Sequence, residues 1–192
     1  MRIKRLLGLL MLMSVLLSLG IPVMVYGYSA SGYSIASNTT IEFTMNANFS
    51  SLSKAHFLDG VLEWNAKAGR TKNILGRSGS SHHLTQYPQD DGNNYVYRVD
   101  MGSNVYAGNT KRYYIGSYIT SADININMYL NWANSAQIGC LDTGSVFWHE
   151  LGHAAGLSES YANGAVMFYQ MPVNTVRRTL AQDDINGIQW IY

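Results

Sequence analysis

The sequence predicts a single α+β domain, and three observations predict it. The chain has 192 residues, of which 47% are hydrophobic, enough for one core and too few for several domains. Short alternating segments recur between residues 40 and 127, the period of half-buried strands. Helical spacing of apolar residues appears once early, near 53–68, and twice late, near 143–155 and 180–191. Charged residues are only 13%, about half the usual share, and polarity comes from Ser, Asn, Gly and Tyr. The 12% aromatic content and three prolines argue against disorder. A net charge of +1 gives no general electrostatic grip on nucleic acid.

The first element is not part of the domain. Arg2, Lys4 and Arg5 precede an apolar run from Leu6 to Val25 that ends in small residues. That is the pattern of a secretory signal peptide, so 1–27 is expected to be removed and 28–192 to be the mature domain. Cleavage after Gly20, Ser29 or Ala30 is an alternative, and the rival reading is an uncleaved anchor. Gly20 and Pro22 favour the signal peptide. The expected product is secreted, monomeric and without stable membrane association. Its ten basic and twelve acidic side chains leave a net charge of −2. Cys140 is the sole cysteine, so no internal disulfide forms, and a buried thiol is expected. Asn38-Thr39-Thr40 and Asn48-Phe49-Ser50 match the N-glycosylation pattern, which matters only in a eukaryotic secretory pathway.

Within the domain, residues 28–40 read as a loose leader. Thr40 to Asn46 alternates around Ile41, Phe43 and Met45 and predicts a strand. Phe57, Val61, Leu62 and Trp64 fall at helical spacing, after a cap at Ser51 or Ser53 and before a stop at Gly69. Arg70 to Gly92 reads as a long, turn-rich stretch. Tyr95–Val99 and Val105 fit a hairpin. Tyr113–Ile119 is strand-like, and Ile124 and Ile126 alternate with Asn125 and Asn127 in a further strand. Asp142 is placed to cap a helix from Thr143 to Ala155 that Gly156 stops. Thr179 to Gln182 forms a capping-box pattern that opens a last helix, with Leu180, Ile185, Ile188 and Ile191 on one face.

The chemistry concentrates in His149-Glu150-Leu151-Gly152-His153. Residues four apart on a helix share a face, so both imidazoles can meet one zinc ion. Glu150 lies about 100° round the helix, where its carboxylate can take the proton of a water at that metal. A catalytic zinc site takes a third protein ligand and keeps one position open. Gly156, three residues beyond His153, supplies the left-handed residue that turns the chain back.

With Gly156, the spacing resembles the metzincin pattern H-E-x-x-H-x-x-G-x-x-H. Ala165 to Tyr169 resembles that clan's Met-turn. Residues 180–192, 119–127 and 57–65 resemble the closing helix, a sheet strand and the first helix of the matrixins, the matrix metalloproteinase family. The resemblance covers 33–192 and is strongest from 119 onward. It implies a zinc endopeptidase acting on protein or peptide, with a zincin-like fold: a twisted mixed sheet with two helices, a Met-turn and a C-terminal helix. Carried over, His149 and His153 become metal ligands, Glu150 the general base and Met167 the hydrophobic base beneath the metal. The family's third histidine falls on Glu159. Two histidines and one glutamate are an established zinc set, so Glu159 is expected as third ligand. Its other reading is a solvated surface residue on a decayed, non-catalytic binding scaffold. His82 and His83 are fallback ligands, expected at the surface. Tyr169 stands where related metzincins place a tyrosine near the metal, as a fifth ligand or transition-state stabiliser. No long loop for a second zinc is present, and calcium at Asp90, Asp91 and Asn93 is a weak further candidate.

Overall fold

A computed structural model describes residues 28–84, 88–103 and 106–192. The signal-peptide segment and Val105 lie outside the described residues.

Parallel pairing dominates the sheet, and residues 121–127 are buried on both of its faces. A strand buried on both faces has no polar face to show. The sheet runs β3 (Leu75–His82), β2 (Ile41–Asn46), β4 (Tyr95–Val99), β6 (Tyr118–Asn127) and β5 (Gly108–Ile115). A short β1 (Ser34–Ile35) pairs with the start of β6, ahead of where β4 takes over. Every pairing is parallel except β5 on β6. A two-residue pair, β7 (Trp132–Ala133) and β8 (Leu141–Asp142), leads into the chemistry-bearing helix.

Several expectations are corrected here. Tyr95–Val99 is a central parallel strand, not one arm of a hairpin. The hairpin is β5–β6, turning at Gly116, whose φ of +60° suits glycine. The turn-rich 70–92 stretch contains β3. Asn125 and Asn127 do not face solvent. Both are buried, and Asn127 ties the next loop through Met101 N–H, Tyr129 N–H and the Gly102 carbonyl. Residues 28–40 are no loose leader. Ile35 is buried, Ser31 N–H donates to the Gly156 carbonyl, and Tyr28 N–H donates to Asp183 Oδ1. Cys140 is half-buried, not sealed in the core.

The first helix, α1 (Ser51–Ala68), is capped one residue earlier than expected. Ser50 Oγ accepts the Ser53 N–H, and Gly69 closes the helix at φ +69°. Phe57, Val61 and Trp64 are buried as predicted, while Leu62 is exposed. The second helix, α2 (Thr143–Ala154), follows the sequence reading: Asp142 Oδ2 accepts the Ser145 N–H. α1 packs on β3, and α2 on β5. Phe57 of α1 meets Phe43 of the sheet and Phe147 of α2 edge to face, at 5.7 and 5.3 Å.

The two helices interlock through glycine notches. A Cβ on Gly60 would lie 2.7 Å from Trp148, and one on Gly152 would lie 2.9 Å from Trp64. Each tryptophan thus fills the space left by a glycine on the other helix. Each is also pinned: Trp64 Nε1–H donates to the Trp148 carbonyl, and Trp148 Nε1–H to the His56 carbonyl. This close approach sets the height of α2, and so of its two histidines, above the rest of the fold.

The last helix, α3 (Gln182–Ile191), begins two residues later than the Thr179 cap predicts. Its N-cap is Ala181, whose N–H donates to Asp184 Oδ2 at 2.8 Å. Ala181 has no side-chain acceptor, so only the backward half of a capping box exists.

Candidate metal centre

Helix α2 carries His149 and His153 one turn apart, and backbone carbonyls set both rings. His149 Nδ1 lies 2.9 Å from the Val166 carbonyl and His153 Nδ1 lies 3.0 Å from the Leu157 carbonyl. Each Nδ1 therefore carries the proton and leaves Nε2 with its lone pair outward. The two Nε2 atoms are 3.1 Å apart.

Gly156 then does what its position predicts. At φ +102° it ends α2 in a Schellman turn: Gly156 N–H donates to the His153 carbonyl and Leu157 N–H to the Gly152 carbonyl. No larger residue fits, because a Cβ there would sit 2.5 Å from the Tyr33 carbonyl oxygen. The turn delivers Glu159 to the histidines. Its Oε2 is 3.5 Å from His149 Nε2 and its Oε1 is 3.4 Å from His153 Nε2. Among the described residues, these three side chains form the one grouping of His, Cys or carboxylate donors close enough to hold a metal. Zinc bonds of about 2.0–2.1 Å at tetrahedral angles require donor separations of about 3.3–3.4 Å. The two imidazole nitrogens, 3.1 Å apart, are near that separation, and one donor atom from each of the three residues lies within 4.8 Å of the others, so a small shift of the exposed Glu159 carboxylate closes the set.

The electrostatics point the same way. Burial alone would lower His149, but the Glu159 and Glu150 carboxylates and the Val166 carbonyl outweigh it and raise the imidazole to about 9, so a metal bound at Nε2 takes the place of a proton there. Burial would push Glu159 up, yet its contacts with His149 and His153 hold it well below the usual carboxylate range. The site concentrates negative potential where a cation would sit.

Beneath the site, Met167 is buried, its sulfur against Gly152 of α2. The Met-turn is fixed by Asp184, which accepts the Val166 N–H at 2.8 Å and the Met167 N–H at 3.0 Å. Asp184 lies in the first turn of the last helix, where its charge also suits the helix N-terminus. Its larger work is to tie the Met-turn to α3. Glu159 is tied in as well, because the next residue, Ser160, exchanges backbone hydrogen bonds with Met167 and Tyr169.

Glu150 is buried on the β5 side of α2. Together with His149, His153, Glu159 and Tyr169 it lines a cleft of about 450 Å³. Tyr169 is half-exposed and packs its ring on Phe168 and Tyr161, at 4.8 and 5.4 Å. The fallback ligands are not brought here. His82 is buried, contrary to the expected surface position, and its Nε2 lies 3.1 Å from the Val96 carbonyl. His83 is exposed. Asp90, Asp91 and Asn93 occupy an exposed turn in which Asp91 accepts the Asn93 N–H.

The matrixin family profile matches residues 89–192, more than half of the chain and all of the site. The chain belongs to the matrixin family of metallopeptidases. It is also similar to Metalloendoproteinase 1 of Glycine max, 45% identical over 51 residues. That match covers 27% of this chain and 17% of the soybean protein. The matrixin fold expected from the sequence is therefore present, and the family carries zinc dependence with it.

Three features of this matrixin's site were not foreseen. Thr110 and Gly108 of β5 contact Glu150, and Arg112 Nη1 donates to the His153 and Leu157 carbonyls at 3.1 and 3.4 Å. All three lie on alternate positions of one strand, forty residues from the helix they touch. Nothing in a lone threonine or glycine signals such a role.

Proposed function

We propose that this matrixin is an exported zinc endopeptidase that uses His149, His153 and Glu159 to hold the metal and Glu150 as general base. The observation that carries the reading is the cluster of three donors within 4.8 Å of one another, with the buried Glu150 carboxylate on the same helix as the two histidines. When bound, zinc supplies Lewis acidity that polarises the scissile carbonyl and acidifies a water. Glu150 takes that water's proton as the oxygen attacks the carbonyl carbon, then returns it to the leaving amine nitrogen. His149 and His153 keep their Nε2 lone pairs available because the Val166 and Leu157 carbonyls hold the Nδ1 protons. With Glu159 in place of a third histidine, the residues that would hold the zinc carry one more negative charge, and the nucleophilic water would be somewhat less acidic. Tyr169 lines the same cleft, which supports reading it as the group that stabilises the tetrahedral oxyanion.

Peptide substrates follow from the family, and the 450 Å³ cleft admits a side chain beside the scissile bond. Export rests on the basic head and apolar run of residues 1–27. The feature favouring a binding-only scaffold is Glu159 in place of histidine, and its carboxylate faces both imidazoles. The test is cleavage of an internally quenched peptide library by zinc-loaded protein. Cleavage that stops on chelation and returns with zinc supports the reading. A zinc-loaded protein that cleaves none of the library contradicts it.

A further inference from the structure

Strand β5 runs along the catalytic helix as the edge of the sheet, and its alternate residues turn toward α2. Gly108, Thr110 and Arg112 share that face. Arg112 binds the end of α2, and the other two address Glu150. The Thr110 hydroxyl lies 2.7 Å from Glu150 Oε2 and 3.0 Å from the Glu150 backbone carbonyl. At Gly108 there is no side chain, and a Cβ there would lie 2.8 Å from Glu150 Oε1 and 3.1 Å from its Cγ. One residue grips one carboxylate oxygen, and two positions along the strand a glycine leaves room for the other.

A buried carboxylate on a helix has rotamers to choose from, and a general base works only from the one within reach of its proton. We propose that Thr110 is a positioning residue for this matrixin: its hydroxyl anchors Oε2 of Glu150 so that Oε1, in the space left by Gly108, is the atom that takes the proton. The water's O–H bond breaks, its oxygen bonds to the carbonyl carbon, and its proton goes to Oε1 and then to the leaving amine. Thr110 keeps its own proton throughout. The inference rests on Glu150 being the general base.

The test compares the parent with Thr110→Val, which keeps the shape and removes the donor, and Thr110→Ser, which keeps the donor. Kinetics on a quenched peptide are read with zinc per chain and with the urea midpoint of the metal-free protein. The expected result for Thr110→Val is a fall in kcat of about 10- to 100-fold, a fraction of what a positioned base contributes. KM should stay within about twofold and zinc should stay at one per chain. Thr110→Ser should restore most of kcat. In the metal-free protein, Thr110→Val should lower the urea midpoint less on a Glu150→Ala background than on the parent, because the partner carboxylate is already gone. Thr110→Ala carries the same expectations and stands in if the valine variant does not fold. Unchanged kcat in both Thr110→Val and Thr110→Ala overturns the proposal while leaving Glu150 as base. So does a serine variant as impaired as valine, or a loss in which KM and zinc content move with kcat. A zinc-loaded parent that cleaves no peptide overturns the proposed function, and this inference with it.

Discussion

Gly152 sits between His149 and His153, where a helix would ordinarily gain from alanine. An exposed Gly→Ala change in a helix interior stabilises by about 1 kcal/mol. Here a Cβ would overlap the Met167 sulfur and lie 2.9 Å from Trp64 Cζ2 and 3.3 Å from Met167 Cε. Neither neighbour yields easily. Trp64 is pinned by its hydrogen bond to the Trp148 carbonyl, and the Met167 backbone is held by Asp184. Overpacking costs about 1–3 kcal/mol in ordinary cores, and this site belongs at the upper end. The net effect of Gly152→Ala is therefore a loss of about 2 kcal/mol. For a chain this size that lowers the melting temperature by about 4–8 °C. Calorimetry of zinc-free protein at pH 7 measures it directly. Gly79→Ala is the control, because a Cβ there meets nothing within 4 Å. The zinc affinity of Gly152→Ala should fall too, since Met167 must move from beneath the imidazoles. A Gly152→Ala protein that melts at or above the parent temperature would refute the interlocked packing of α1, α2 and the Met-turn.

Other changes test other joints. Glu159→Ala and Glu159→Gln should weaken zinc binding beyond the 10–100-fold that outer-shell partners are worth, while Glu159→His keeps the metal; competition with a chelator ranks them. Asp184→Asn leaves one of the three N–H groups it accepts, two of them buried, facing an amide donor, costing about 2 kcal/mol in urea unfolding. Asp123 is buried, and burial raises its carboxyl to about 6, with Asp91 adding to the rise and Lys111 opposing it. A folded-state value above the unfolded one means stability is greatest below about pH 4 and is lost as pH climbs through 6. Allowing for nearby solvent, that loss is about 1–2 kcal/mol. Asp123→Asn should remove it, so the variant gains on the parent at pH 8 but not at pH 4. N-terminal sequencing of the exported protein should begin at or near Tyr28, and a membrane-bound full-length product would contradict export.

The helices were legible because their signals are local. The histidine spacing, the Asp142 cap and the left-handed Gly156 all act within a turn or two of chain. The sheet was less so. β3 reads Leu-Gly-Arg-Ser-Gly-Ser-Ser-His and is a strand because β2 pairs with it, not because its residues prefer to be one. Tyr95–Val99 looks like a hairpin arm until its neighbours prove to be distant parallel strands. Residues 28–40 look loose because their partners, Gly156, Asp183 and β6, come more than eighty residues later. The candidate site divides the same way. His149, Glu150, His153, Glu159 and Met167 announce themselves along the chain. Thr110 and Gly108 matter only through a sheet edge that the fold carries across to the helix.

In the proposed mechanism a metal held by His149, His153 and Glu159 works with Glu150 as a separate base. Zinc content and peptide cleavage, measured side by side for the parent and Glu150→Ala, test that most directly. The prediction is one zinc per chain in both proteins, with cleavage reduced by several orders of magnitude in the variant. Near-parental cleavage by Glu150→Ala, or a parent that binds no zinc, would contradict it.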